Sequence, residues 1–297
     1  MLQIKRILCP IDFSDFSTHA FDYAVSLARH YGAELYAQHV VQPIVSAYAQ
    51  ATVPNEVRTF VGDMRGKAAA RLEQFVASRR FEGKTPRVVI TDGGPSDAIL
   101  SLAKSSAIDL IVMGTHGRRG FDRLMLGSVT EAVLHKAECP VLVIRKPLRD
   151  FVSPDSQSDP VKLKKILFCA DFSPSSARAL DYALSLATEY GAELSPLHVL
   201  PNLPSEGELP ATISEAVQKL GAMIPAEASE WCKVKPAVRV GKPYQEIIQF
   251  AIENESDLIV MGASGHNAFD RAMFGSTTHR VIQFGSAPVL CVRIPQE

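Results

Sequence analysis

A chain of 297 residues with 46% apolar content is long enough for about two compact domains and apolar enough to fill their cores, which argues against a disordered chain. Its charges nearly cancel to a formal net of −1, so it lacks the positive field that holds a nucleic-acid backbone. No run reaches the roughly 20 apolar residues of a membrane-spanning helix, no signal-peptide pattern opens the chain, and five cysteines without metal-ligand spacing point to a reducing cytoplasm.

In chain order, the apolar run RILCPI reads as a first strand, residues 17–31 as an amphipathic helix closed by Gly32, and ELYAQHVV as a second strand. A divergent middle follows. RVVI (87–90) is a third strand, 95–107 a helix, DLIVMG (109–114) a fourth strand, 128–138 a helix and PVLVIR (140–145) a fifth strand. Continuous apolar strands alternating with helices predict a parallel α/β sheet, with five strands and four helices per domain.

The pattern then returns. KRILCPIDFSDFSTHAFDYAVSLARHYGAELYAQHV from Lys5 reappears as KKILFCADFSPSSARALDYALSLATEYGAELSPLHV from Lys164, and DLIVMGTHGRRGFDRLMLGS from Asp109 as DLIVMGASGHNAFDRAMFGS from Asp257. A period this long is a domain duplication rather than a solenoid. The expected boundaries are 1–146 and 162–297, joined over 147–161 by a linker whose prolines, serines and aspartates bury little.

After each fourth strand the glycines keep one spacing: Gly114, Gly117, Gly127, then Ser128; and Gly262, Gly265, Gly275, then Ser276. Glycines at a strand end allow positive φ and close approach to a ligand, and a serine opening a helix leaves N–H groups aimed at an anion, phosphate above all. The plainer reading makes Gly114 and Gly127 turn residues and Ser128 an N-cap, with Glu131 completing a capping box. His279 stands where the second copy would need that Glu, so capping alone does not explain the repeated pattern. Neither a P-loop nor a G-x-G-x-x-G motif is present.

This spacing, set between DLIVMG and a helix leading to a final apolar strand, resembles the ATP-binding branch of the universal stress proteins over residues 3–146 and 162–294. The resemblance implies doubly wound five-stranded parallel domains of order 3-2-1-4-5, each with a nucleotide crevice at its strand ends. It implies ATP, ADP or AMP held in the first half by Pro10, Asp12, Val40, Met113, Gly114, Gly117, Arg118, Gly127, Ser128, Val129 and Thr130. The matching positions are Asp171, Val199, Met261, Gly262, Gly265, Gly275, Ser276, Thr277 and Thr278. Mg²⁺ would bridge the phosphates. Cys169 replaces Pro10 and His266 replaces Arg118, so weaker or pH-sensitive phosphate binding is expected in the second half.

The resemblance also implies pairing of the two halves through their last strands, 140–145 and 288–293, as an intramolecular pseudo-dimer that can dimerise further. The expected role is a regulatory nucleotide-binding module with an unidentified protein partner, neither nucleic acid nor membrane being one. The alternatives are a stress scaffold that binds no nucleotide and a slow ATPase. Among other candidates, Asp12 also suits helix capping, His39 and His198 suit core histidines with a satisfied ring N–H, and His116 loses its counterpart to Ser264. Cys9, Cys139 and Cys291 suit small core hydrophobes. The repeated FDR at 121–123 and 269–271 either orders the loop or bridges to the other half.

Overall fold

A computed structural model describes residues 2–42, 55–79, 84–115, 126–145, 148–153, 161–201, 209–263 and 275–294. The first half runs β1 (Arg6–Pro10), α1 (Asp15–Tyr31), β2 (Glu34–Val41), α2 (Asn55–Ala77), β3 (Arg87–Asp92), α3 (Pro95–Ser105), β4 (Leu110–Gly114), α4 (Ser128–Lys136) and β5 (Val141–Ile144). The second runs β6 (Lys165–Ala170), α5 (Pro174–Tyr190), β7 (Glu193–Leu200), α6 (Leu209–Met223), the one-turn α7 (Ala228–Trp231), β8 (Ala237–Val240), α8 (Pro243–Glu253), β9 (Leu258–Gly262), α9 (Ser276–Phe284) and β10 (Val289–Val292). The short α7 exceeds the four helices expected. It forms in the divergent middle, where Ala228 packs fully buried beneath α5.

All ten strands form one sheet in the order β3-β2-β1-β4-β5-β10-β9-β6-β7-β8. Each half is therefore a doubly wound parallel sheet of order 3-2-1-4-5. The halves meet where β5 and β10 pair antiparallel, Leu142 opposite Leu290. That pairing occupies two strand edges that would otherwise present unpaired backbone groups.

The helix ends explain themselves locally. Gly32 (φ 61°) and Gly191 (φ 59°) close α1 and α5 in the left-handed conformation that favours glycine. Ser14 and Ser173 cap the helix starts, each hydroxyl accepting the N–H three residues on, at 3.2 and 3.1 Å. The cap is thus Ser14 rather than Asp12, and α1 begins two residues earlier than the sequence suggests.

Apolar residues of one pleat face (Ile7, Cys9, Ala37, Val112) pack under α1 and α2, and those of the other (Leu8, Tyr36, Ile111, Met113) under α3 and α4. At the N-terminal end of the sheet, Asp109 Oδ2 accepts the N–H groups of Lys5 and Arg6, and Asp257 Oδ2 those of Lys164 and Lys165. The aspartate opening each DLIVMG run is a clip between strands.

The linker buries more than its composition predicts. Phe151, Val152 and Val161 are all buried, and Val152 bridges Val161 in antiparallel fashion. Asp150 accepts the Tyr23 hydroxyl at 2.7 Å and meets His19 at 2.9 Å, while Arg149 pairs with Glu255 of the second half. Three apolar side chains among the polar ones suffice to pin the strap to both halves.

Candidate functional site

In an open α/β sheet a crevice forms where neighbouring strands send their chains to opposite faces, here between β1 and β4 and between β6 and β9. Over the first crevice, Asp12 Oδ1 accepts both the N–H (3.0 Å) and the hydroxyl (2.6 Å) of Ser14. In the second half Asp171 Oδ1 accepts the Ser173 N–H at 2.9 Å, and the Ser173 hydroxyl contacts Ser175 at 2.9 Å. Each aspartate is thereby fixed at the end of its strand.

The residue after each aspartate is strained. Phe13 (φ 65°) and Phe172 (φ 62°) adopt the left-handed conformation, which a bulky side chain rarely tolerates. Ring contacts hold both: Phe13 lies 4.8 Å from His39 and beneath the Arg71 guanidinium at 4.1 Å, and Phe172 lies 4.4 Å from His198. His39 and His198 each place Nδ1 on a strand-end carbonyl, Ile11 at 2.6 Å and Ala170 at 2.7 Å, as expected of satisfied ring nitrogens. Backbone strain repeated in both halves marks a position the fold over-determines. The sequence carried its trace in the repeated Asp-Phe-Ser, which periodicity cannot interpret.

The glycines act differently from expectation. Gly127 has φ −65° and Gly275 φ −57°, so neither needs glycine's freedom. A β-carbon on Gly114 would stand 2.8 Å from Phe16 backbone, and one on Gly262 2.8 Å from Ser175 and Ser176. These two positions are glycine because the first turn of α1 or α5 packs directly on the strand end.

Gly127 and Gly275, not the serines, occupy the N-cap positions, and no side chain caps either helix. The capping box is therefore absent, and Ser128 and Ser276 are exposed first-turn residues. Thr130 and Thr278 turn inward instead: buried, they donate to the carbonyls of Gly114 at 2.8 Å and Gly262 at 3.4 Å, clamping helix to strand. Val129 and Thr277 are half-buried beside them. The Gly127 N–H returns to Thr115 O at 2.8 Å, closing the base of the intervening loop.

Met113 and Met261 are buried in the strands below, Pro10 and Val40 are half-buried at the rim, and Val199 is buried. Gly117, Arg118 and Gly265 lie outside the described residues, as do His116, Ser264, His266 and both FDR segments. One residue escaped the sequence reading altogether: Gln38 of β2, fully buried, whose Oε1 has no hydrogen-bond partner among the described residues. Its counterpart is the apolar Leu197, so the repeat concealed it.

The cysteines behave as core residues, Cys169 in the place of Pro10 included. Burial pushes the thiols of Cys9, Cys169 and Cys291 far above their usual range and that of Cys139 up to about 12, the behaviour of core groups rather than nucleophiles. Among the described residues no helix is long and apolar enough to cross a membrane.

The universal stress protein family model matches residues 3–145 and again 162–293. A universal stress protein of Methanocaldococcus jannaschii is 35% identical over 146 residues, 49% of this chain and 85% of that protein. One from Mycolicibacterium smegmatis is 25% identical over 295 residues, 97% of this chain and 96% of its own, and so shares the tandem arrangement. The crystal structure of a universal stress protein from Archaeoglobus fulgidus superposes with TM-score 0.61 at 22% identity, covering 98% of this chain and 97% of that one.

Proposed function

Since the chain belongs to the universal stress protein family, we propose that it is a regulatory module binding an adenine nucleotide, ATP or its di- or monophosphate, over the ends of β1, β2 and β4. The second half offers a related site over β6, β7 and β9. The observation that carries this reading is the start of α4: a helix whose first turn follows a glycine N-cap, with no side-chain cap and an exposed serine. Such a terminus favours anionic oxygen. The same arrangement opens α9.

Asp12, fixed by Ser14, faces the sugar and base, the backbone at Val40 borders the base, and the first turn of α4 takes the phosphates. Mg²⁺ would lie among phosphate oxygens. The two units, 1–146 and 162–297, would signal nucleotide occupancy to a protein partner in the cytoplasm, where five unpaired cysteines stay reduced.

Freshly purified protein should release adenine nucleotide on denaturation, identified by chromatography with mass detection. Two per chain would mean both sites fill, and one, lost in Asp12→Ala, would assign it to the first half. If none is released and ATP with Mg²⁺ leaves the melting temperature unchanged, the scaffold reading replaces this one.

A further inference from the structure

We propose that Gln38 selects the base in the first half: its side-chain oxygen accepts a hydrogen bond from an amino group on the base edge, so that crevice prefers an aminated base to its oxo counterpart. The inference rests on the nucleotide reading above and adds base selection to it. The second half lacks the device.

Gln38 stands opposite Pro10 of β1 and Val89 of β3. It lies two residues from Tyr36, buried beneath α3 and α4, and two from Val40, half-buried against the same cluster, so its side chain shares that face. Pro10 shares the face two residues beyond Leu8, and continuing the β1–β4 register from Leu8 opposite Ile111 sets Met113 beside Pro10. Met113, Pro10 and Gln38 thus form one row across three strands, with Val40 a step nearer the rim.

The amide orientation is determined by its neighbours. Nε2 donates to Thr91 Oγ1 at 2.9 Å and to Ala98 O at 3.1 Å. A carbonyl only accepts, so the nitrogen must face Ala98, and reversing the amide would set two lone pairs together. Both partners belong to the β3–α3 side. Oε1 is thus the end of the amide that they leave unused, and it is buried with no partner among the described residues. A buried acceptor without a donor disfavours the empty state, so a ligand bringing an N–H gains by satisfying it. Adenine presents an amino group. Hypoxanthine presents an oxo group, which would set oxygen against oxygen.

In the second half the same row is Met261, Cys169 and Leu197, with Cys169 opposite Leu197 in the register and all three buried. No side-chain acceptor for a base amine stands there.

The test titrates the full chain with Mg-ATP and Mg-ITP by calorimetry, carrying Asp171→Ala to confine binding to the first half, with and without Gln38→Leu. Leucine at this register is what the second half already uses, so the variant keeps its fold, which a thermal melt verifies. The expected result is ATP binding roughly tenfold or more tighter than ITP, with Gln38→Leu bringing ATP down to the ITP level. A ratio unchanged by Gln38→Leu, as when a trapped water satisfies the oxygen, overturns base selection and leaves nucleotide binding standing. Uptake of neither nucleotide by the chain with Gln38 overturns both.

Discussion

A β-carbon added to Gly114 would lie 2.8 Å from the backbone carbonyl carbon of Phe16, closer than two carbons can approach. Phe16 sits in the first turn of α1, so relief requires moving a helix rather than a side chain. Gly114→Ala is expected to cost about 2–4 kcal/mol in urea unfolding. Gly275→Ala meets nothing nearer than Thr278 Oγ1 at 3.8 Å, at φ −57°, and should stay within about 1 kcal/mol of the parent. Equal losses would refute the division of the glycines into packing and loop positions.

Asp150 joins the linker to α1 by accepting the hydroxyl of Tyr23, a residue with no solvent exposure. Asp150→Ala removes the acceptor of that O–H while the Phe151 N–H stays bonded to its oxygen, and should lower stability by about 1–3 kcal/mol. Tyr23→Phe combined with Asp150→Ala should cost less than the two single changes together, because the O–H donor left without its acceptor is gone. Strict additivity in the urea series would mean the strap contributes no coupling here.

The duplication made the strands readable, since the apolar runs occur twice, whereas the sheet order and the β5–β10 pairing were what the family resemblance implied. What repetition could not supply is what each repeated residue does. Gly114 looked like a ligand-approach glycine and is a packing glycine, because sequence spacing does not say which neighbour comes close. Ser128 looked like a cap, yet it is the first helical residue and Gly127 takes the N-cap position. Gln38 was hidden because it breaks the repeat, and the linker because Phe151, Val152 and Val161 are few among polar residues.

Thr130 and Thr278 make the same clamp at different lengths, 2.8 Å to Gly114 O and 3.4 Å to Gly262 O. The shorter bond is the stronger. Thr130→Val, nearly isosteric, is expected to cost about 1 kcal/mol, and Thr278→Val visibly less. Paired thermal melts decide it. A larger loss in the second half would contradict the geometry.

His135 of α4 gives the protein an acid-sensitive component. Burial lowers its pKa below the usual 6.5, Glu131 opposing the shift while Arg293 and His279 reinforce it. The folded chain therefore binds fewer protons at this site than the unfolded chain does. By linkage, the site's contribution is intact above about pH 6.5 and is lost as pH falls through that value toward the lowered one. His135→Gln, the residue the second half carries at Gln283, removes the titration while keeping a polar side chain. The parent should lose stability on acidification from pH 7.5 to 5 more steeply than the variant. Because the histidine is partly solvated, the divergence should amount to only ~1–2 °C in melting temperature. Parallel pH profiles would show that solvent, rather than the interface, sets the protonation of His135.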